Sequence, residues 1–115
     1  MKKAAIIMAL IGIMMLSALS AQETRATKTI EISPNPMTQF AEITVVLGYR
    51  AEIRVTIENS ARQVVKTLFT GSADQNLVLR WEGTDEDGKL APVGEYEVVV
   101  YQGRYTSTKK TLILK

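Results

Sequence analysis

From Thr29 onward the chain alternates apolar and polar residues with a period of two. Ile30 and Ile32 alternate with Thr29 and Glu31, the mark of a strand with one buried face. Ser33-Pro34-Asn35-Pro36 ends it, because two prolines remove ladder donors and fix φ. Ile43, Val45 and Leu47 alternate with Glu42 and Thr44 up to Gly48. Ile53, Val55 and Ile57 then alternate with Glu52, Arg54, Thr56 and Glu58, which predicts a half-buried strand with those four polar residues facing water. The turn-like Asn59-Ser60-Ala61-Arg62 leads at hairpin spacing into a strand over 63–69. Residues 70–75 read as a polar loop around Gly71, after which Leu77, Leu79 and Trp81 share a face. Tyr96, Val98 and Val100 point one way and Glu95 and Glu97 the other. Gly103 breaks that strand, and a last one over 106–114 carries Leu112 and Leu114 in register.

Seven short strands, with no helical period after residue 21, predict an all-β fold. The layout is an antiparallel β-sandwich, immunoglobulin-like, of about seven strands. The Cys…Trp…Cys pattern of antibody domains is missing, since the chain has no cysteine.

The first 21 residues break the alternation. Lys2 and Lys3 precede an unbroken apolar run over 4–16, followed by Ser17-Ala18-Leu19-Ser20-Ala21. That is the layout of a helical secretory signal peptide cleaved near Ala21 or Gln22. A membrane span needs roughly 20 apolar residues, and this run is shorter, so no stable membrane insertion is expected after cleavage. The predicted organisation is a signal peptide over 1–21, a disordered polar lead-in over 22–28, and one domain over 29–115. The expected destination is outside the cytoplasm: periplasm, cell surface or medium.

Removing the leader alters the charge picture. The chain carries 14 basic and 12 acidic residues. Lys2 and Lys3 leave with the leader, and no acid lies in 1–21, so 12 of each sign remain. The basic pI of the whole chain therefore reflects its export signal and is no argument for nucleic-acid binding. The remaining basic residues are scattered along the strands and are not expected to form a patch.

The densest motif is Trp81-Glu82-Gly83-Thr84-Asp85-Glu86-Asp87-Gly88, continuing through Pro92 to Gly94-Glu95-Tyr96. It resembles the W-x-G-x-D-x-x-G…G-x-Y signature of the FlgD-type immunoglobulin-like domains. These are named for the flagellar hook-capping protein and are also common at the C-termini of exported bacterial proteins. Ser33-Pro34-Asn35-Pro36 stands where such domains, and the similar type IX secretion C-terminal sorting domains, carry an x-P-N-P entry. Residues 53–68 follow their hairpin, and Lys109-Lys110 with Leu112-Ile113-Leu114 follows their basic-then-aliphatic ending. The resemblance implies a signature set of Pro34, Asn35, Pro36, Trp81, Gly83, Asp85, Gly88, Gly94 and Tyr96. Arg62 departs from it, standing where the hairpin usually carries glycine. A second departure is that a sorting domain normally follows a cargo domain, whereas this sequence reads as leader plus module.

Candidate chemistry is sparse. Zero histidines and zero cysteines remove the commonest general base and zinc ligands, so no catalytic residue and no cofactor is expected. Asp85 and Asp87, followed by Gly88, are the metal candidates, but the ligand set of a calcium loop is incomplete and a solvated turn explains them. Trp81 is expected to plug the core, and Tyr96 to pack there with its hydroxyl bonded near the corner. Tyr49, Tyr101 and Tyr105 fall at strand ends or outward positions and are the candidate contact surface. Together these predict an exported, non-enzymatic module with a structural or protein-interaction role in the bacterial envelope and a partner the sequence does not identify. The alternatives are a stand-alone relative of type IX sorting domains and a calcium-dependent adhesion domain.

Overall fold

The structure, a computed structural model, describes residues 25–115; the predicted signal peptide and residues 22–24 of the lead-in lie outside the described residues. Seven strands follow one another: β1 (Thr27–Ser33), β2 (Ala41–Leu47), β3 (Ala51–Glu58), β4 (Val64–Ala73), β5 (Asn76–Trp81), β6 (Gly94–Gln102) and β7 (Thr106–Leu114). They form two antiparallel sheets, β1-β2-β5 and β4-β3-β6-β7. In a constant-type immunoglobulin domain the fourth strand pairs in the first sheet. Here β4 pairs with β3 in the second.

The apolar positions of the alternating pattern meet between the sheets. Ile43, Val45, Val55, Ile57, Val98 and Leu112 are fully buried, and Trp81 and Val100 nearly so. Burying each such side chain is worth about 1.5–3 kcal/mol, so this inner layer is the main source of stability in a domain that has no disulfide.

Three strand predictions need correction. The first strand opens at Thr27, inside the segment read as disordered lead-in, and Ala26 and Thr27 are buried. Ala26 is fixed on both sides: its amide donates to Gln102 Oε1 at 2.7 Å and its carbonyl accepts from Gly48 at 2.8 Å. Residues 70–73 are strand, not loop. Gly71 pairs with Ile53 and carries β4 on to Ala73, so the turn shrinks to Asp74 and Gln75.

The third correction concerns the outer face of β3, where Thr56 and Glu58 are buried although their positions predict exposure. Their neighbours explain it. Cross-strand partners Val99 and Glu97 lie on the same face, and Tyr101 reaches over from β6 to donate its hydroxyl to Glu58 Oε2. Thr56 Oγ1 donates to the same oxygen at 2.9 Å. The Arg54 guanidinium sits 4.7 Å from the centre of the Tyr101 ring and closes the cluster from above.

The strand ends define two poles. At one, the β2–β3, β4–β5 and β6–β7 turns meet the start of β1, tied by Leu47 to Gln75 and by Gln102 to Tyr49. At the other lie the β1–β2 connection, the β3–β4 turn, the long β5–β6 corner and the end of β7.

Candidate functional site

The signature corner connects β5 to β6 across the second pole. Trp81 ends β5 on the inward face and is 1% exposed. Its ring meets Tyr96 edge to face, with centroids 5.4 Å apart at 64°, a favoured aromatic geometry. Its indole N–H donates to the Thr84 carbonyl at 2.8 Å, which anchors the corner to the core. Tyr96, at the start of β6, donates its hydroxyl to the Pro92 carbonyl. Burial holds that hydroxyl above the usual tyrosine pKa.

Between these aromatics the chain folds into a miniature hairpin. Thr84 bridges Leu90, Ala91 donates to Gly83 at 2.8 Å, and the Asp85 amide donates to Lys89 at 2.8 Å. Asp85 Oδ1 accepts the amides of Asp87 at 2.9 Å and Lys89 at 3.0 Å. Glu86 accepts the amide of Thr67, which pins the hairpin to β4. Gly83 is left-handed at φ 72, and a β-carbon there would stand 3.6 Å from Leu114 and 3.7 Å from Met37. Gly88 (φ 81) and Gly94 (φ 150) supply the remaining backbone geometry.

Of the metal candidates, Asp85 has its Oδ1 bonded to two of the loop's own amides. Among the described residues no group of three or more acidic side chains is placed to hold a metal ion.

The Pro34-Asn35-Pro36 entry has a second task that spacing alone did not reveal. Asn35 docks on the free edge of β7, its Nδ2 donating to the Thr111 carbonyl at 2.9 Å and its Oδ1 accepting the Ile113 amide at 3.0 Å. Met37, fully buried, continues the contact: its amide donates to Ile113 at 2.8 Å and its carbonyl accepts from Lys115 at 2.9 Å. The entry segment thus covers the C-terminal half of an edge that would otherwise be open. We expect Asn35→Ala to cost about 1–2 kcal/mol, two exposed hydrogen bonds partly replaced by water, and to speed amide exchange at Ile113. Unchanged exchange there would contradict the docking role.

The three tyrosines do not form one surface. Tyr105 is 94% exposed at the tip of the β6–β7 turn and Tyr49 is 43% exposed in the β2–β3 turn, both at the first pole. Tyr101 lies on the outer sheet face and is held by Glu58 and Arg54. Two exposed side chains that alternation did not single out, Leu90 at 83% and Val93 at 73%, project from the signature corner instead. Their signal was present in the sequence as aliphatics within a polar turn. A groove of about 550 Å³ lies between this corner and the β3–β4 turn, and a second of about 370 Å³ lies on its other side, against Leu114 and Gln39.

In the β3–β4 turn, the Asn59 side chain accepts the amides of Ala61 and Gln63, each at 3.0 Å. Arg62 sits at φ 62, the left-handed conformation for which glycine is suited. A left-handed residue with a β-carbon costs about 1–2 kcal/mol, and the extra unfolded-state freedom of glycine offsets part of that. Arg62→Gly should therefore stabilise the domain by about 0.5–1 kcal/mol, read as a higher urea midpoint at constant slope; a lower midpoint would refute it.

The profile of the FlgD Ig-like domain family matches residues 29–105. The chain belongs to that family. In this FlgD-type domain the matched span runs from β1 to the β6–β7 turn and contains the whole signature corner. Among solved structures, dimeric latent PorU from Porphyromonas gingivalis is similar at 18% identity and a TM-score of 0.56, over 74% of this chain and 9% of that one. PorZ from the same organism, described as an essential bacterial surface component of the type IX secretion system, is similar at 21% identity and a TM-score of 0.53, over 75% of this chain and 11% of that one. At these identities the likeness is one of fold, and the FlgD-type domain spans about a tenth of either protein. No curated protein sequence matches the chain.

Proposed function

We propose that this FlgD-type domain is an exported, non-enzymatic protein-interaction module of the bacterial cell envelope. The observation that carries the reading is the division of labour in the signature corner. Its polar groups, Asp85, Glu86, the Trp81 indole and the Tyr96 hydroxyl, are engaged in holding the loop and the core. Its aliphatic tip, Leu90 and Val93, faces solvent between two grooves. A loop so firmly fixed presents an apolar surface at low entropic cost, which suits binding by surface complementarity.

The test is affinity capture from an envelope fraction with the wild-type chain and with Leu90→Asp/Val93→Asp as bait. Both bait proteins should melt alike, and a protein retained by the wild type should be absent from the variant. Identical retention by both would sink the reading.

A second reading, a relative of type IX sorting domains, draws support from the fold shared with PorZ and from the basic-then-aliphatic last strand. Deleting residues 109–115 would not test it cleanly, because Leu112 and Leu114 are buried in the core. Lys109→Glu/Lys110→Glu changes only exposed side chains. If export requires that strand, the variant should accumulate in the periplasm of a host with the type IX route; equal distribution of the two forms would dismiss the sorting role.

A further inference from the structure

We infer that the domain associates head to tail with a second copy of itself, the groove beside the signature corner of one molecule receiving the Arg–Tyr turns at the opposite pole of the next. The inference rests on the protein-interaction reading and names the partner.

The groove comes first. Asp85, Glu86, Asp87 and Glu95 line it, and no lysine or arginine does. Its apolar lining includes Val64, 49% exposed, and Val93, 73% exposed. Among the described residues the ion pairs are Arg80–Glu82 and Lys109–Glu97, so none of the groove's carboxylates is in an ion pair; Asp85 and Glu86 accept backbone amides, which leaves Asp87 and Glu95 as the carboxylates the fold does not use.

The other pole has the complementary chemistry. The β2–β3 turn presents Tyr49-Arg50 and the β6–β7 turn Arg104-Tyr105. Arg25 and Lys28 join them at the start of β1, where the Lys28 side chain lies against Gly48. Four basic residues that lie apart in sequence, expected to form no patch, therefore share one end, where the nearby acids are Glu52 and Asp74, while Arg62, Lys66, Lys89 and Lys115 lie toward the other. Arg25, Lys28, Arg50 and Arg104 likewise take part in neither ion pair.

Within one molecule the two poles cannot meet. They are separated by the length of the strands, roughly 30 Å for a nine-residue strand such as β6. That is several times the Debye length of about 8 Å at physiological salt, so the two sets of charges barely interact across the molecule. Between molecules they can come into contact. Tyrosine and arginine are the side chains enriched at binding hot spots, and an arginine can lay its apolar stem on a valine floor while its guanidinium reaches a carboxylate rim.

The two surfaces differ, so the contact is heterologous and leaves a free end at each step. Exposed pairs contribute little each, so the association is weak, dependent on concentration and sensitive to salt. Raising salt from low to several hundred millimolar should weaken it by about tenfold.

Sedimentation velocity on the chain as the expressing cell processes it tests this. Wild type at low salt should show a weight-average size that climbs with concentration without levelling at a dimer. Asp87→Lys/Glu95→Lys blocks the groove, and Arg104→Glu/Tyr105→Ser blocks the other pole. All four side chains make no hydrogen bond that holds the fold, so melting temperatures should match wild type. Each variant alone should be monomeric, and an equimolar mixture should form a dimer and stop there, since each retains one working end. Wild type that stays monomeric at millimolar concentration, or a mixture that yields no dimer, overturns the inference. If the wild type is monomeric and yet captures a different protein through Leu90 and Val93, the interaction reading stands and the self-association is wrong.

Discussion

Trp81→Ala should destabilise the domain by about 3–5 kcal/mol, the usual cost of removing a large aromatic from a core. The side chain is 1% exposed, so its loss opens a cavity between the sheets that the rigid strands can only partly close. Two further contacts go with it: the edge-to-face packing on Tyr96 and the indole N–H bond to Thr84. A domain of this size has a total stability near the lower end of about 5–15 kcal/mol. The variant should therefore be largely unfolded at 37 °C, as followed by far-ultraviolet circular dichroism, since the chain's single tryptophan is gone. Trp81→Phe separates the causes. It keeps most of the ring volume and loses the indole donor, so a cost of about 1–2 kcal/mol is expected. If Trp81→Ala melted within a few degrees of wild type, the corner would not be anchored through this residue.

Tyr101→Phe should cost about 1.5–3 kcal/mol, the range for a hydrogen bond to a charged group. Glu58 is 7% exposed and takes hydrogen bonds from Tyr101 and Thr56; among the described residues no cation forms an ion pair with it. Without the phenol, the carboxylate keeps only Thr56, in surroundings where water replaces the lost donor poorly. The same variant has a signature in pH. The Tyr101 hydroxyl is held above the usual tyrosine pKa, first by its hydrogen bond to Glu58, then by burial and by the Glu58 charge, with Arg54 and Arg62 pulling the other way. A folded pKa above the unfolded value of about 10 means the neutral phenol is favoured in the native state. Its contribution is complete below about pH 10 and is lost as pH rises through the folded value. Wild type should lose stability on that alkaline limb more steeply than Tyr101→Phe, with Tyr96 responsible for what remains in the variant. Parallel alkaline limbs would show that the Glu58–Tyr101 bond does not hold in solution.

Much of the architecture was legible because strand alternation records which face meets the core. Ile53, Val55 and Ile57, or Tyr96, Val98 and Val100, needed nothing more than period two. The same signal failed for Thr56 and Glu58. Their burial depends on Tyr101, which is 43 residues from Glu58 in sequence and on a neighbouring strand. Asn35 is a similar case. Its place between two prolines signalled a break in the first strand, but its bond to Ile113 spans 78 residues and exists only once the sandwich closes. The end of β4 is hidden from a local reading because Gly71 and Ser72 look like a loop, whereas pairing with Ile53 and Glu52 holds them in the ladder.

The candidate site was legible in a different sense. The signature located the corner, and residue chemistry suggested that Trp81 and Tyr96 would be buried there, as the geometry has it. Which part of the corner faces outward depended on the hairpin's own hydrogen bonds, which turn Leu90 into solvent while bridging its backbone to Thr84. The pole that carries Arg25, Arg50 and Arg104 was not legible, because the three lie far apart in sequence and come to the same end only through the order of the strands.

On the reading of the signature corner as a structural turn, the Asp85 and Glu86 carboxylates are spent on backbone amides of the loop and of Thr67. Isothermal titration of the folded domain with calcium, paired with melting curves in calcium and in chelator, is the deciding measurement. No heat beyond dilution and superimposable melting curves are expected. Micromolar calcium binding with a raised melting temperature would show Asp85 and its neighbours to be a ligand site and would contradict that reading.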